Sequence, residues 1–479
     1  MTINGQVLKY KATAGYLTLS DEKADKDGKP DDAAHPAGGA GPAQPEAGKP
    51  KARIFFIAYT REGGDTGKRP ITFAFNGGPG AASVWLHLGE LGPRRVKLDE
   101  LAPNPGPPYS LVDNEQTWLT DTDLVFIDPV STGYSRPAPG ASAGEFHGFQ
   151  EDIKSVGEFI RLYTTQNNRW LSPKFIVGES YGGTRAAGLC DYLQNEVSLY
   201  LDGVIIVSGL LNWQNIDFSP GNDIPYCLAL PSFASAAWYY KKDAPEYQQR
   251  DVNDVRREAE EFAMQDYLLA LAKGDQLPDA ERLQFAGRLS KLIGLPVDYI
   301  LRHHLRVSDY GFRQELLKSG GRAPGRFDSR YSGIVYDPDG DLGDPSFVAI
   351  RGAFTAAINE YLRTELKFES DLPYNTLTDV APWSFDSENK YLEVGSALGK
   401  AMSENPRLKV WVTTGYYDLA VPYYSTQYTL DHLHLEPAIR ANLTFSKYES
   451  GHMIYTDQTA LKAMRADFGK FLQAATEGR

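Results

Sequence analysis

Short apolar runs recur along the first half of the chain and again near its end, each closed by glycine, proline or a polar turn. Residues 71–75, 123–127, 174–177, 201–207 and 408–414 are mostly apolar or β-branched, and 443–448 is strand-like. Runs this short and this uniform predict strands buried on both faces. Residues 6–19 and 52–59 alternate apolar and polar positions, which predicts two further strands with a wet face. Between those two, residues 21–51 are rich in Ala, Gly, Pro, Asp and Lys and predict a flexible loop with no core to join. Residues 148–164 and 184–193 fit helices. Beyond residue 211 the alternation stops, and 252–272, 279–293 and 347–367 predict helices linked by loops. The expected class is α/β, interrupted by a mainly helical insertion. The expected division is a core from 1–210, an insertion over 211–371 and a second core part over 372–479. Aromatic residues of the insertion, such as Trp238, Tyr239 and Tyr240, are candidates for lining a pocket.

The run at 174–177 leads straight into Gly178-Glu179-Ser180-Tyr181-Gly182 and then into a helix-compatible segment. A G-x-S-x-G turn between strand and helix is a nucleophile elbow: it lifts a serine hydroxyl above the strand end. Ser180 is therefore the candidate nucleophile. It needs a base, and an acid to orient that base. The expected chain order is Ser, then Asp or Glu, then His. Five of the eight histidines follow the serine. His303, His304, His432 and His434 fall in charged helical or helix-end sequence and read as solvated. His452, in Gly451-His452-Met453, follows the run at 443–448 and is the candidate base. Asp418 lies on the turn after the run at 408–414 and is the candidate acid. The loop Asn76-Gly77-Gly78-Pro79-Gly80 follows the run at 71–75. It can expose backbone N–H groups as half of an oxyanion hole, with the Tyr181 amide as the other half.

Taken together, these motifs carry a resemblance. Asn76–Gly80, Asp128 with Thr132-Gly133-Tyr134-Ser135, Gly178–Gly182, Asp418 with Val421-Pro422, and Gly451-His452-Met453 come in the order of the serine carboxypeptidase family. The chain looks like a bacterial-type member, similar to carboxypeptidase C and cathepsin A. The resemblance implies an α/β-hydrolase core, with a mostly parallel central sheet flanked by helices and a helical lid. It implies release of C-terminal residues from peptides through an acyl-enzyme. It assigns Gly78 and Tyr181 to the oxyanion amides, and Asn76, Glu90 and Glu179 to binding of the substrate's terminal carboxylate. Many relatives have cysteine after Asn-Gly-Gly-Pro-Gly, whereas Ala81 stands here, so their disulfide scaffold is not expected.

Composition narrows the partners. The net charge of −13 and the lack of a basic block argue against nucleic acid. No apolar run approaches membrane-spanning length. No zinc or calcium spacing occurs, and no cofactor is expected. The chain has two cysteines, Cys190 and Cys227, which exclude a disulfide framework but leave a single bridge open. Residues 1–20 lack a cationic start and an apolar core, so no signal peptide is visible; export with a removed signal and retention inside the cell both stay open. Three functions remain. A carboxypeptidase acting on peptides with a free C-terminus accounts for Asn76, Glu90 and Glu179. An esterase or acyltransferase could use the same triad. A peptide-binding module without catalysis is the third.

Overall fold

The computed structural model describes residues 1–3, 5–21, 48–98, 106–337 and 340–477. Most of the predicted loop 21–51 lies outside them. Eight strands make the central sheet: β1 (Tyr10–Ser20), β2 (Pro50–Arg61), β3 (Ile71–Phe75), β4 (Asp123–Ile127), β5 (Lys174–Glu179), β6 (Gly203–Val207), β7 (Lys409–Gly415) and β8 (Leu443–Tyr448). Their order is β8-β7-β6-β5-β3-β4-β2-β1, and the short strand Arg136–Pro137 adds against β2. From β8 to β4 every neighbour is parallel. The wet-faced strands β1 and β2 pair antiparallel at one edge. This is the sheet of an α/β-hydrolase core.

The main helices are α1 (Phe149–Gln166), α2 (Tyr181–Asn195), α3 (Ile224–Tyr239), α4 (Val252–Phe262), α5 (Asp279–Ile293), α6 (Pro345–Thr364), α7 (Gly395–Glu404) and α8 (Gln458–Thr476). Each parallel strand sends alternate side chains to opposite faces. Ala74, Phe175, Val177, Ile205 and Trp411 meet α6 and α8 on one face. Phe73, Phe75, Ile176, Ile206 and Val412 meet α1, α2 and α7 on the other. A third apolar cluster is built from α3, α4, α5 and the segments up to Leu316, and among the described buried residues takes only Leu419 from outside the region 211–371. The helix α6 lies within that region, yet its buried residues join the sheet's core.

The helix α3 escapes the helical pattern because it is buried on nearly every side: Ile-Pro-Tyr-Cys-Leu-Ala-Leu-Pro has no polar face to give a 3.6-residue period. Cys227 lies in it and Cys190 in α2, both buried and free of any disulfide.

Parallel pairing sets β3, β5, β7 and β8 running the same way, so residues 76, 180, 418 and 452 all emerge at one edge. That edge is where such sheets bind ligands. The opposite end is closed by charge: buried Asp123 accepts from Arg69 Nε at 2.6 Å and Arg169 Nη1 at 2.7 Å. No helix among the described residues is long and apolar enough to cross a membrane.

The aromatic seam under α8 offers a test of the core. Phe468 stacks on Trp118, with ring centroids 3.6 Å apart, and is fully buried. Phe468→Ala should lose about 3–5 kcal/mol of unfolding free energy in a denaturant titration. A loss under about 1 kcal/mol would show that the seam collapses without cost.

Candidate active site

The turn after β5 is held in an unusual shape. Ser180 has φ 62° and ψ −127°, a region that costs a non-glycine residue on the order of 1–3 kcal/mol. The surrounding bonds impose it. Ser180 N donates to Val207 O at 3.0 Å, and Gly183 N donates to Ser180 O at 2.8 Å as α2 begins. The turn after β3 is pressed against this elbow. A Cβ on Gly77 would run into the backbone nitrogens of Tyr181 and Gly182, and one on Gly182 would stand 2.8 Å from Phe75 O. Backbone meets backbone here, and the Gly77-Gly78 turn lies beside the Tyr181 amide.

Two buried groups lock that contact. Arg185, on α2, donates from Nη1 to Asn76 O at 2.6 Å and from Nε to Asp152 Oδ2 at 2.7 Å. Its guanidinium also lies over the Phe75 and Tyr181 rings. The Asn76 side chain accepts from Leu86 N at 3.0 Å. Neither Arg185 nor Asp152 stands out in sequence. An arginine in the first turns of an elbow helix and an acid on a neighbouring helix carry no motif.

Asp418 and His452 meet at 2.7 Å, Oδ2 to Nδ1. The other carboxylate oxygen accepts from Ala420 N at 2.8 Å and Val421 N at 2.9 Å, which fixes the carboxylate's orientation. Both side chains are buried. Burial alone would lower the imidazole pKa. The charge and hydrogen bond of Asp418, with the charge of Glu179, outweigh it and leave His452 above its ordinary value. Phe327 stacks on the His452 ring with centroids 4.9 Å apart. His87 is also buried, but lies under the sheet edge bonded to Tyr59 Oη at 2.7 Å, with its pKa pushed down to about 3 by burial.

One cavity of about 320 Å³ joins these parts. Asn76, Gly78, Glu179, Ser180, Tyr181 and His452 all line it. Its apolar walls include Trp85, Trp213, Phe327 and Phe347. Of the sequence-predicted site residues, Asp418 stands behind His452, and Glu90 is not in the lining. Glu90 sits fully buried on the turn His87–Leu91, close enough to Glu179 for their charges to interact. Trp238, Tyr239 and Tyr240 do not line the cavity. Tyr240 Oη instead donates to Arg330 O and Tyr331 O, and the Tyr239 ring packs edge-on against Tyr417.

The two glutamates are the electrostatic oddity. Both oxygens of Glu90, one oxygen of Glu179 and the Tyr455 hydroxyl are buried without a hydrogen-bond partner of normal length. Burial raises the Glu179 pKa to about 7, although His452, Tyr455 and Asn76 favour its ionised form; Asp418 raises it further. Burial and the nearby Glu179 charge push Glu90 well above the ordinary carboxyl range. Below about pH 7 the Glu179 carboxyl therefore favours its protonated form, which offers an O–H donor where a carboxylate would only accept.

The model of the serine carboxypeptidase family matches residues 45–230. This segment holds Asn76, Gly78, Glu90, Glu179, Ser180 and Tyr181, and ends before Asp418 and His452. "Serine carboxypeptidase-like 51" of Arabidopsis thaliana is 30% identical over 184 residues, which is 36% of this chain and 37% of that protein. "Pheromone-processing carboxypeptidase KEX1" of Cryptococcus gattii is 31% identical over 183 residues, 37% of this chain and 26% of that protein. The chain thus spans well under half the length of these curated relatives. Among solved structures it is similar to the proline iminopeptidase of Mycobacterium smegmatis, at 15% identity and a TM-score of 0.38, over 89% of this chain and 96% of that one. The resemblance to serine carboxypeptidases read from the motifs is borne out.

The raised carboxyl pKa has a stability consequence with a definite sign. Glu179 ionises near 4.5 when unfolded and near 7 in the fold. Its contribution is fully present below the lower value and is lost as pH rises through the upper one. Glu179→Gln removes the ionisation. The variant should therefore gain on the parent as pH rises from 5 to 8, by on the order of 2–3 kcal/mol at the top of that range. Chemical denaturation at several pH values measures this. A stability difference that stays flat over the range would mean that Glu179 is not held protonated.

Proposed function

We propose that this protein is a serine carboxypeptidase that releases C-terminal residues from peptides. The observation that carries this reading is the protonatable buried Glu179 in the same cavity as Ser180 and His452. An ester or amide without a free carboxylate has no use for such a group. A peptide's terminal carboxylate does, because a neutral glutamic acid can donate to it without like-charge repulsion.

In this mechanism His452 Nε2 takes the proton from Ser180 Oγ as the oxygen attacks the scissile carbonyl carbon. Asp418 holds the imidazole by Nδ1 and stabilises the imidazolium that forms. The amides of Gly78 and Tyr181 receive the developing oxyanion. Collapse of the tetrahedral intermediate breaks the C–N bond, and His452 returns its proton to the leaving amine. Water then attacks the acyl-enzyme, with His452 again as base. The departing residue's carboxylate is bound by Asn76 and by protonated Glu179. Glu90, behind Glu179, keeps that proton in place by making double ionisation unfavourable. The region 211–371 supplies a lid, whose residues Trp213, Phe327 and Phe347 wall the cavity and exclude water.

A pool of peptides read by mass spectrometry tests the reaction class. Products should shorten only from the C-terminus. Ser180→Ala and His452→Ala should abolish this, and Asp418→Asn should lower kcat on the order of 10⁴-fold. A fluorophosphonate should label Ser180. Labelling at a different serine, or retained activity in Ser180→Ala, refutes the triad.

The carboxylate pocket has its own test. Amidating the C-terminus should reduce kcat/KM by the equivalent of about 2–5 kcal/mol. KM for the free acid should rise as pH passes about 7, where Glu179 loses its proton. A small ester lacking a carboxylate should stay active there. Equal cleavage of acid and amide, or parallel pH profiles for peptide and ester, would remove Asn76, Glu90 and Glu179 from substrate recognition.

A further inference from the structure

Residues 326–330 lie between the two loops that carry Asp418 and His452, and bond to both. Arg326 O accepts from Leu419 N at 3.0 Å, and Ser329 N donates to Tyr417 O at 2.9 Å, so the residues on either side of Asp418 are held. Phe327 O accepts from His452 N at 2.6 Å. The approach is close enough that a Cβ on Gly451 would stand 2.7 Å from Asp328 Cα. On its far side the segment is fixed to the start of α6: Asp344 accepts from Arg326 N at 2.9 Å and Phe327 N at 3.2 Å.

Arg330 closes this arrangement. Its Nη1 donates to Glu449 O at 2.8 Å and to Asp457 Oδ2 at 3.1 Å. Its Nε and Nη2 grip Asp328 at 3.0 and 2.7 Å. Glu449 and Asp457 bracket His452 in the chain, so one guanidinium ties both ends of the base's loop to the segment. The fork geometry suits arginine and not lysine. Asp457 also accepts from Thr459 N and Ala460 N at 3.0 Å, which anchors the end of the loop to α8. A second arginine acts on the same loop: Arg256 of α4 grips the Glu449 carboxylate at 2.5 and 2.9 Å. The Arg330 side chain is nearly buried and, unlike Arg326 and Phe327, is not part of the cavity wall.

We propose that Arg330 is a positioning residue for catalysis: through the segment 326–330 it holds the Asp418 and His452 loops at one separation, and it acts on turnover rather than on substrate binding. The proposal rests on the triad reading. Loosening this contact lets the imidazole drift from Asp418 and from Ser180. Misplacements of this kind lower rates steeply, because proton transfer and attack need the reacting atoms in line. The charged groups facing His452 are Asp418, Glu179 and Arg326. None is removed by changing Arg330. A weaker Asp418 contact lowers the imidazole pKa, so the acid limb of the pH profile moves to lower pH.

The test compares the parent, Arg330→Ala and Arg330→Lys on one free-acid peptide, with fluorophosphonate labelling of Ser180 in each. Arg330→Ala should lower kcat about 10- to 100-fold and slow labelling in step. KM should stay within about twofold, and the acid limb should shift down. Arg330→Lys, which keeps the charge but not the fork, should fall in between. Unchanged kcat and labelling in folded Arg330→Ala, or a loss confined to KM, overturns the proposal. Should circular dichroism show Arg330→Ala unfolded, Arg330→Lys is judged by the same criteria, with Glu449→Gln as a milder release of the same loop. Labelling of the parent at a serine other than Ser180 is a different failure: it refutes the triad, and this proposal falls with it.

Discussion

The site depends on a backbone-to-backbone contact between the turns after β3 and β5. Side chains would hold these turns several ångströms apart. Glycine at 77 and 182 removes that spacing, and the Asn76–Gly80 turn settles against the start of α2. The contact sets the Gly77-Gly78 turn against the Tyr181 and Gly182 amide nitrogens, next to an elbow that holds Ser180 at positive φ. Neither turn could hold this geometry alone. The strain at Ser180 has to be offset, and the surroundings that offset it are visible: ladder bonds on both sides of β5, and the buried Arg185 that binds Asn76 O, Asp152 and two aromatic faces at once.

The second constraint is charge in a dry place. Asp152 is buried but has a bidentate-capable cation beside it, so it stays paired. Glu90 and Glu179 are buried with no Lys or Arg partner among the described residues, and the consequence is a raised pKa rather than pairing. A fold ordinarily avoids such groups. Holding two near Ser180 is intelligible on the proposed function, in which the ligand itself brings an anion and the proton mediates between carboxyl groups. On the function proposed above, the same arrangement would tie recognition to pH through Glu179 and turnover through His452, with opposite senses.

Much of this was legible in the sequence because it is local. Strands buried on both faces read as apolar runs, and β3 and β4 fall at the residues those runs predict. β8 also falls at its predicted residues, but as the edge strand it is only partly buried, because no strand among the described residues pairs beyond it. The elbow, the Asn76–Gly80 turn and the loops of Asp418 and His452 are each a few contiguous residues with a recognisable punctuation. What could not be read is what lies across the fold. The helix α3 has no polar face, so periodicity is silent. Tyr239 and Tyr240 are aromatic residues in the right region, but the Tyr240 hydroxyl is engaged by Arg330 and Tyr331 and the Tyr239 ring by Tyr417. Trp213, Phe327 and Phe347 wall the cavity from three separate stretches, and nothing in one stretch announces the others. Arg185 and Arg330 are invisible for the same reason: an arginine's partners are set by topology, and both here reach across more than 30 residues.

The region 211–371 is accordingly more than a cover. Loops at the open edge of a parallel sheet are tethered at their strand ends and free on the side that faces the substrate. The loops after β7 and β8 are long enough to carry Asp418 and His452 away from the sheet, which they must do to reach Ser180, and this leaves their outer faces without sheet partners. Segment 326–330 fills that space with backbone donors and acceptors, while α6 supports it from beneath through Asp344 and Ser346. The helix α6 shares its core with the sheet itself. The support therefore runs from the sheet, through α6, to the segment that touches the loops of both Asp418 and His452, and the third apolar cluster hangs from this frame. An insertion joined this way cannot swing as a rigid flap without breaking the bonds to Tyr417, Leu419 and His452. On the proposed function, an opening that admits substrate would have to occur elsewhere along the cavity rim, at walls such as Trp213 or Leu377, which carry no hydrogen bond to the Asp418 and His452 loops among the described residues.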